Sequence, residues 1–199
     1  PLRAPIHRRP LLDALLFDHV FHDTEYGFRI DEFVRMVDPI AGARCASPNE
    51  AEDRMPYISV PRISYETAAR AVALAMETGP RHGVVPVVAV ADPSMTLIAY
   101  GVADGATPHS AETSVRKAKT SASTCKPSGA IPEALATALP LGTDGMLTRI
   151  EGGLPIRFDG VHVGGLGVAG GPPAIDLQVA LEVIELLGAD PIPADQIGG

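Results

Sequence analysis

Residues 152–171 read GGLPIRFDGVHVGGLGVAGG, and eight of these twenty positions are glycine. A stretch so dense in glycine constrains the fold more than any other part of the chain. Each glycine either turns the backbone or removes a side chain where something else must come close. Within it, Gly165-x-Gly167-x-x-Gly170 has the spacing of a dinucleotide-binding turn. That turn requires a preceding strand, a following helix and further parallel strands to complete a doubly wound sheet. Here it falls about thirty residues from the carboxyl end. Asp190 sits at the distance of a ribose-binding acid, but LLGAD ends a helix and no second strand leads to it. Gly164, Gly165 and Gly167 are therefore read as strand positions, bare so that another backbone, a helix or a flat ligand can approach.

The flanking pattern is consistent with strands. Asp159-Gly160 is a hairpin turn signal between two strand-like runs. Upstream, VVPVVAVA (84–91), DPSM and TLIAY (96–100) read as a second hairpin. Three helices separate and flank the hairpins. The first has Ser64 as N-cap, lines one face with Ala68, Val72, Ala75 and Met76, and stops at Gly79-Pro80. The central one opens at Thr107-Pro108 and runs to about Thr124. Its small residues Ala111, Val115, Ala118, Ala122 and Cys125 predict a very close neighbour, beside a polar stripe of Thr113, Lys117, Thr120 and Thr124. After a short helical piece over 132–139, the last helix spans about Ala174 to Leu187. Helix, hairpin, helix, hairpin, helix predicts a layered α+β domain with an antiparallel sheet over residues 61–199. Residues 1–60 form a helical extension and linker, with LLDALLFDHVFH (11–22) apolar nearly all round and IDEFVRMVD (30–38) ending at Pro39. Such an extension docks on the later domain or on another subunit.

Bulk properties exclude whole classes. The chain has 199 residues, enough for one main core. A net charge of −8 opposes nucleic acid as a partner. No apolar run is long enough to cross a bilayer, so no membrane partner is expected. Cys45 and Cys125 match no zinc or redox spacing. Their scarcity suggests a reducing, cytoplasmic setting, with their pairing and a removed leader both left open. No Gly-x-Ser-x-Gly, Walker, HExxH or CxxC motif occurs.

Several of these segments, in order, resemble one family. GGLPIRFDGVHVGGLGVAGG followed by an acid, VVPVVAVAD ending in Asp92, GVADGA, and SVRKAKTSA with its Lys-Ala-x-Thr helix are similar to the GlcG/HbpS-like haem-degrading-domain family, which includes the corrinoid-associated PduO carboxyl-terminal domains. The resemblance covers about 63–188. Departures are Met95 where the family has glycine, Ala169-Gly170 for its Ser-Gly, and PPAID for a more acidic stretch. The resemblance implies a GlcG-like, profilin-like α/β/α fold, homo-oligomers, and haem or a related tetrapyrrole as ligand.

Candidate site residues follow. His109, Thr113, Lys117 and Thr120 share the central helix, where Lys117 pairs with a propionate or carboxylate in the functional reading and faces solvent in the alternative. Gly170 and Gly171 present backbone N–H groups to an anion before the last helix, and Asp176 compensates its dipole. Gly153, Arg157 and His162 belong to the glycine-rich hairpin, with Arg149 and Glu151 as charged walls beside it. His19 and His22, one helical turn apart, form a candidate metal pair lacking further ligands. Three functions compete: a small-ligand-binding protein for haem or a related tetrapyrrole, an enzyme (isomerase, lyase or cyclase) working on a small organic acid or biosynthetic intermediate in the same fold, and an interaction module without a small ligand, whose glycine strand and small-residue helix serve subunit packing alone.

Overall fold

The structure, a computed structural model, describes residues 58–197. The extension over 1–60, apart from its last three residues, and the His19/His22 pair lie outside the described residues.

Ser64 starts the first helix as its side chain predicts. Its Oγ accepts the Thr67 N–H at 3.2 Å, and α1 runs Tyr65–Thr78 before a 3₁₀ turn at Gly79–His82. The first hairpin is β1 (Val87–Ala91) and β2 (Leu97–Val102). In its turn, Asp92 Oδ1 accepts the N–H groups of Ser94 and Thr96 at 2.9 and 3.0 Å. Met95 adopts φ +61° there, the left-handed conformation that suits glycine. The central helix α2 spans Ser110–Thr124, three residues later than Thr107 suggests, because Thr107–His109 form a turn with Thr107 Oγ1 2.6 Å from Ser110 Oγ. The helical piece expected over 132–139 is instead a 3₁₀ turn at Glu133–Leu135, with Pro132 at its N-cap, followed by a short α3, Ala138–Gly142, that contains Pro140. Then come β3 (Gly153–Phe158), β4 (Val161–Ala169) and α4 (Pro173–Leu187). Among the described residues no helix is long and apolar enough to cross a membrane.

The four strands form one antiparallel sheet in the order β2-β1-β4-β3. The sheet is sandwiched between helices, the expected α/β/α layering, but its two faces differ in kind. On one face α1 and α4 bury Ala68, Ala71, Ala75, Val179, Val183 and Leu187 against Val88, Val90, Leu154, Ile156, Leu166 and Val168. This is the main apolar core. On the other face α2 lies on Ala89 and Ala91 through Ala118 and Ala122, with the half-buried Val115 beside them.

So small a contact surface works only because α2 comes down onto bare backbone. A Cβ on Gly167 would strike the Ser114 carbonyl and lie 2.5 Å from Ala118 N; one on Gly165 would strike the Ala118 carbonyl and Ala122 N. A Cβ on Gly153 would lie 2.5 Å from the Lys117 carbonyl. Of the three occupants the glycine strand allows, a helix fills Gly165 and Gly167 and another backbone, the Ala91 carbonyl of β1, fills Gly164. Close approach maximises dispersion contact where large apolar side chains are absent. Asp190, far from any ribose role, holds the 159–160 turn: its carboxylate accepts the Asp159 and Gly160 N–H groups at 3.1 and 2.7 Å.

Candidate functional site

Lys117 is the most unusual side chain in the molecule. It is 1 % exposed, although lysines are almost never buried unless paired. Its Nζ donates to the Val168 carbonyl at 2.8 Å and to Asp176 Oδ2 at 2.7 Å. Lys117 belongs to the layer on one side of the sheet and Asp176, 2 % exposed, to α4 on the other side. The side chain makes the crossing where β3 begins. Gly152, at φ +104°, has no Cβ, and one placed there would sit 2.9 Å from Nζ and 2.8 Å from the Asp176 Cβ. Asp176 is held in turn by the Gly171 N–H, which donates to Oδ1 at 2.9 Å.

The anion that Gly170 and Gly171 were expected to receive is thus the chain's own Asp176 carboxylate, met by the Gly171 N–H. Gly170, at φ +136°, has its missing side chain filled by the Val85 carbonyl. Asp176 does sit in the first turn of α4, but its main partner is Lys117 rather than the helix dipole alone. Burial pushes the Lys117 ammonium below its usual range despite the opposing pull of Asp176 and Glu151. Burial likewise pushes the Asp176 carboxyl up, against Lys117 and the Gly171 N–H. Both directions say that desolvation outweighs attraction within the pair. The carboxylate that Lys117 was expected to hold is internal, and the ammonium is out of reach of solvent.

The remaining expected residues separate into two groups. At the far end of α2, His162 (5 % exposed) donates Nε2–H to the Ala122 carbonyl at 2.7 Å, and Arg157 donates to the Cys125 carbonyl. Both satisfy carbonyls that the last turn of a helix leaves open. Burial lowers the His162 pKa, with Arg157 nearby adding to the effect, and its Nδ1 has no hydrogen-bond partner. Cys125, in the left-handed conformation that ends α2, is disulfide-bonded. Cys45 lies outside the described residues.

The other group faces outward. His109 is exposed at the head of α2, and Thr113 Oγ1 donates back to its carbonyl at 3.0 Å. Thr120 is buried: its Oγ1 donates to the Arg116 carbonyl at 2.8 Å and accepts the Thr148 N–H at 2.9 Å. The expected stripe is therefore open only at its His109–Thr113 end and is covered by the 145–148 segment at the other. Arg116, which the sequence reading passed over, is exposed beside Gly145, its guanidinium 3.3 Å from where a Cβ would stand. Its spacing of three from Thr113 was the available signal.

The charged walls around GGLP also resolve. Arg149 pairs with Glu133 at 2.8 Å and donates to the Ile131 carbonyl at 2.8 Å. Glu151 lines a shallow depression of about 10 Å³ with Pro127, Gly129, Gly153, Leu177 and Gln196. Gly153 donates its N–H to Ser128 Oγ at 2.9 Å, so its site role in this structure is to let α2 and the 127–130 turn close over β3.

Comparison with known proteins agrees with this architecture. Residues 63–185 match the family described as "Haem degrading protein HbpS-like". A double mutant of HbpS from Streptomyces reticuli is 31 % identical, covering 72 % of this chain and 98 % of its own, with a TM-score of 0.61. Klebsiella pneumoniae protein ORFY superimposes at TM-score 0.64 with 22 % identity, over 67 % of this chain and 96 % of that one. A PduOC:heme complex superimposes at 0.61 with 21 % identity, over 66 % and 99 %. No curated protein sequence matches the chain.

Proposed function

This chain belongs to the HbpS-like haem-degrading family, and from that premise we propose that it is a small-ligand-binding protein whose ligand is haem or a related tetrapyrrole. The observation that carries the reading on this chain's own surface is the exposed His109, followed on one helix face by Thr113 and the exposed Arg116. Spacings of four and three keep these groups aligned, and seven residues of helix span about 10 Å, comparable to the width of a porphyrin. The residues present fit the group: an imidazole to meet iron, a guanidinium to pair with a propionate, and the exposed Leu141 and Met146 of the neighbouring segment to lie against the ring. Haem, when bound, would supply a redox-active iron; the protein's part is to orient it and shield one face.

Binding is superficial in this reading. The depression near Glu151 encloses only about 10 Å³, far below the roughly 300–1,000 Å³ of a typical ligand cleft. Titration of the full chain with haemin, followed by absorbance, tests it. The wild type gives a saturable Soret shift, His109→Ala abolishes or changes the bound spectrum, and Arg116→Ala weakens binding about tenfold, or about 1.4 kcal/mol. Variants that titrate like the wild type would remove the site from this face.

A further inference from the structure

Residues 136–147 are folded, yet none of them is buried. The chain is firmly seated on either side. Upstream, Ile131 and Leu135 are buried. Downstream, Thr148 is buried with its N–H on Thr120 Oγ1 at 2.9 Å, and Arg149 Nε donates to the Ile131 carbonyl at 2.8 Å, which closes the stem of the loop. Between these anchors the segment holds only itself. α3 is followed by a turn in which the Gly145 N–H donates to the Pro140 carbonyl at 2.7 Å, while Thr143 Oγ1 donates to the Leu139 carbonyl at 2.7 Å and accepts the Leu147 N–H at 3.2 Å. Among the described residues, every hydrogen bond of 137–147 is internal to the segment.

The large apolar side chains of this segment stand in solvent: Leu141 is 77 % exposed and Met146 44 %. A segment with fixed ends, internal hydrogen bonds and no buried face lies at the low-stability end of a structure, from which binding-site lids are drawn. Its position fits that use. The turn at Gly145, φ +73°, leads from α3 to Met146, and the Arg116 guanidinium lies 3.3 Å from where a Cβ on Gly145 would stand. A ligand carboxylate paired with Arg116 therefore meets this turn directly, and an apolar ring carried with that carboxylate offers Leu141 and Met146 the burial that the fold withholds.

We propose that residues 136–147 are a lid, hinged at 136–137 and 147–148, which closes Leu141 and Met146 onto a ring held at His109 and Arg116. The lid rests on the tetrapyrrole reading and adds to it a step after capture that sets how long the ligand stays. Amide exchange of the full chain, read by mass spectrometry with and without haemin, tests it. Without haemin, 138–147 is expected to exchange fast beside the amides of α2; with haemin, its exchange slows about tenfold. Leu141→Ser, at a position the fold does not bury, should raise the rate of haem loss to excess apomyoglobin about tenfold while leaving the Soret position of the complex unchanged, since closure acts on dissociation. Haemin that binds with wild-type dependence on His109, but leaves 138–147 exchanging as before and is lost equally fast from Leu141→Ser, overturns the lid and spares the binding reading. A chain that gives no Soret shift at all overturns both. Slow exchange of 138–147 before haemin is added shows a segment already covered, and overturns the lid alone.

Discussion

Removing either member of the Lys117–Asp176 pair is expected to be far more damaging than removing both. Lys117→Met leaves the Asp176 carboxylate buried with the Gly171 N–H as its remaining partner. Asp176→Leu leaves the ammonium buried with the Val168 carbonyl. Each single change strands a charge that is 2 % exposed or less, a situation that costs about 3–5 kcal/mol. The double change Lys117→Met/Asp176→Leu removes both charges. It forfeits two backbone hydrogen bonds, about 1 kcal/mol apiece, and recovers the desolvation that drives the two pKa values in opposite directions. The double variant should therefore lie within about 2 kcal/mol of the wild type. The two single losses would sum to about 6–10 kcal/mol, so the coupling energy is several kcal/mol. Urea unfolding followed by far-ultraviolet circular dichroism measures all four proteins. Single losses below about 1 kcal/mol that simply add would refute the reasoning, and would mean that water reaches the pair.

Two further outcomes follow from the same geometry. Gly167→Ala forces a Cβ onto the backbone of α2 at Ser114 and Ala118. Because backbone cannot rotate away as a side chain can, the loss should reach or exceed the roughly 1–3 kcal/mol of ordinary overpacking; a melting temperature unchanged by the substitution would show that α2 is not seated as described. His162 has its pKa lowered by burial, so above about pH 6.5 it is neutral both folded and unfolded and its contribution is complete. As pH falls below that value the unfolded chain binds a proton that the folded one resists, and stability declines until the folded pKa is passed. Denaturant unfolding at pH 7.5 and pH 5 should show this decline, reduced in His162→Gln; an equal slope in the variant would place the titration elsewhere.

The layering was legible because it rests on local signals. Ser64 capping α1, the Asp92 turn, Asp159-Gly160 and the small-residue stripe of α2 each act over a few residues, and each appears as expected. One boundary moved where a competing turn acts against periodicity, at Thr107–His109, and the piece expected over 132–139 became two short helical pieces. The site was less legible because its decisive contacts span the sheet. Lys117 and Asp176 are 59 positions apart, and nothing in the sequence marks them as partners. A helical wheel places Lys117 beside Thr113 and Thr120 with no indication that it turns inward, and Arg116, one position away, takes the outward place.

This bears on what the resemblance transmits. Lys-Ala-x-Thr, Gly-Gly-x-Pro, and Gly-Gly followed by an acid look in the sequence like three elements of a ligand site. In the structure they are one clamp. Lys117 crosses the sheet where Gly152 has no side chain, Gly153 lets α2 close over β3, and Asp176, held by the Gly171 N–H, receives the ammonium. Every part depends on the others: a side chain at Gly152 meets the ammonium, and an ammonium without Asp176 is a buried charge. A chain that keeps these motifs keeps the clamp whatever it binds, so they report the fold. In the proposed reading the ligand is recognised by groups the clamp does not consume, and on the central helix His109, Thr113 and Arg116 are among them.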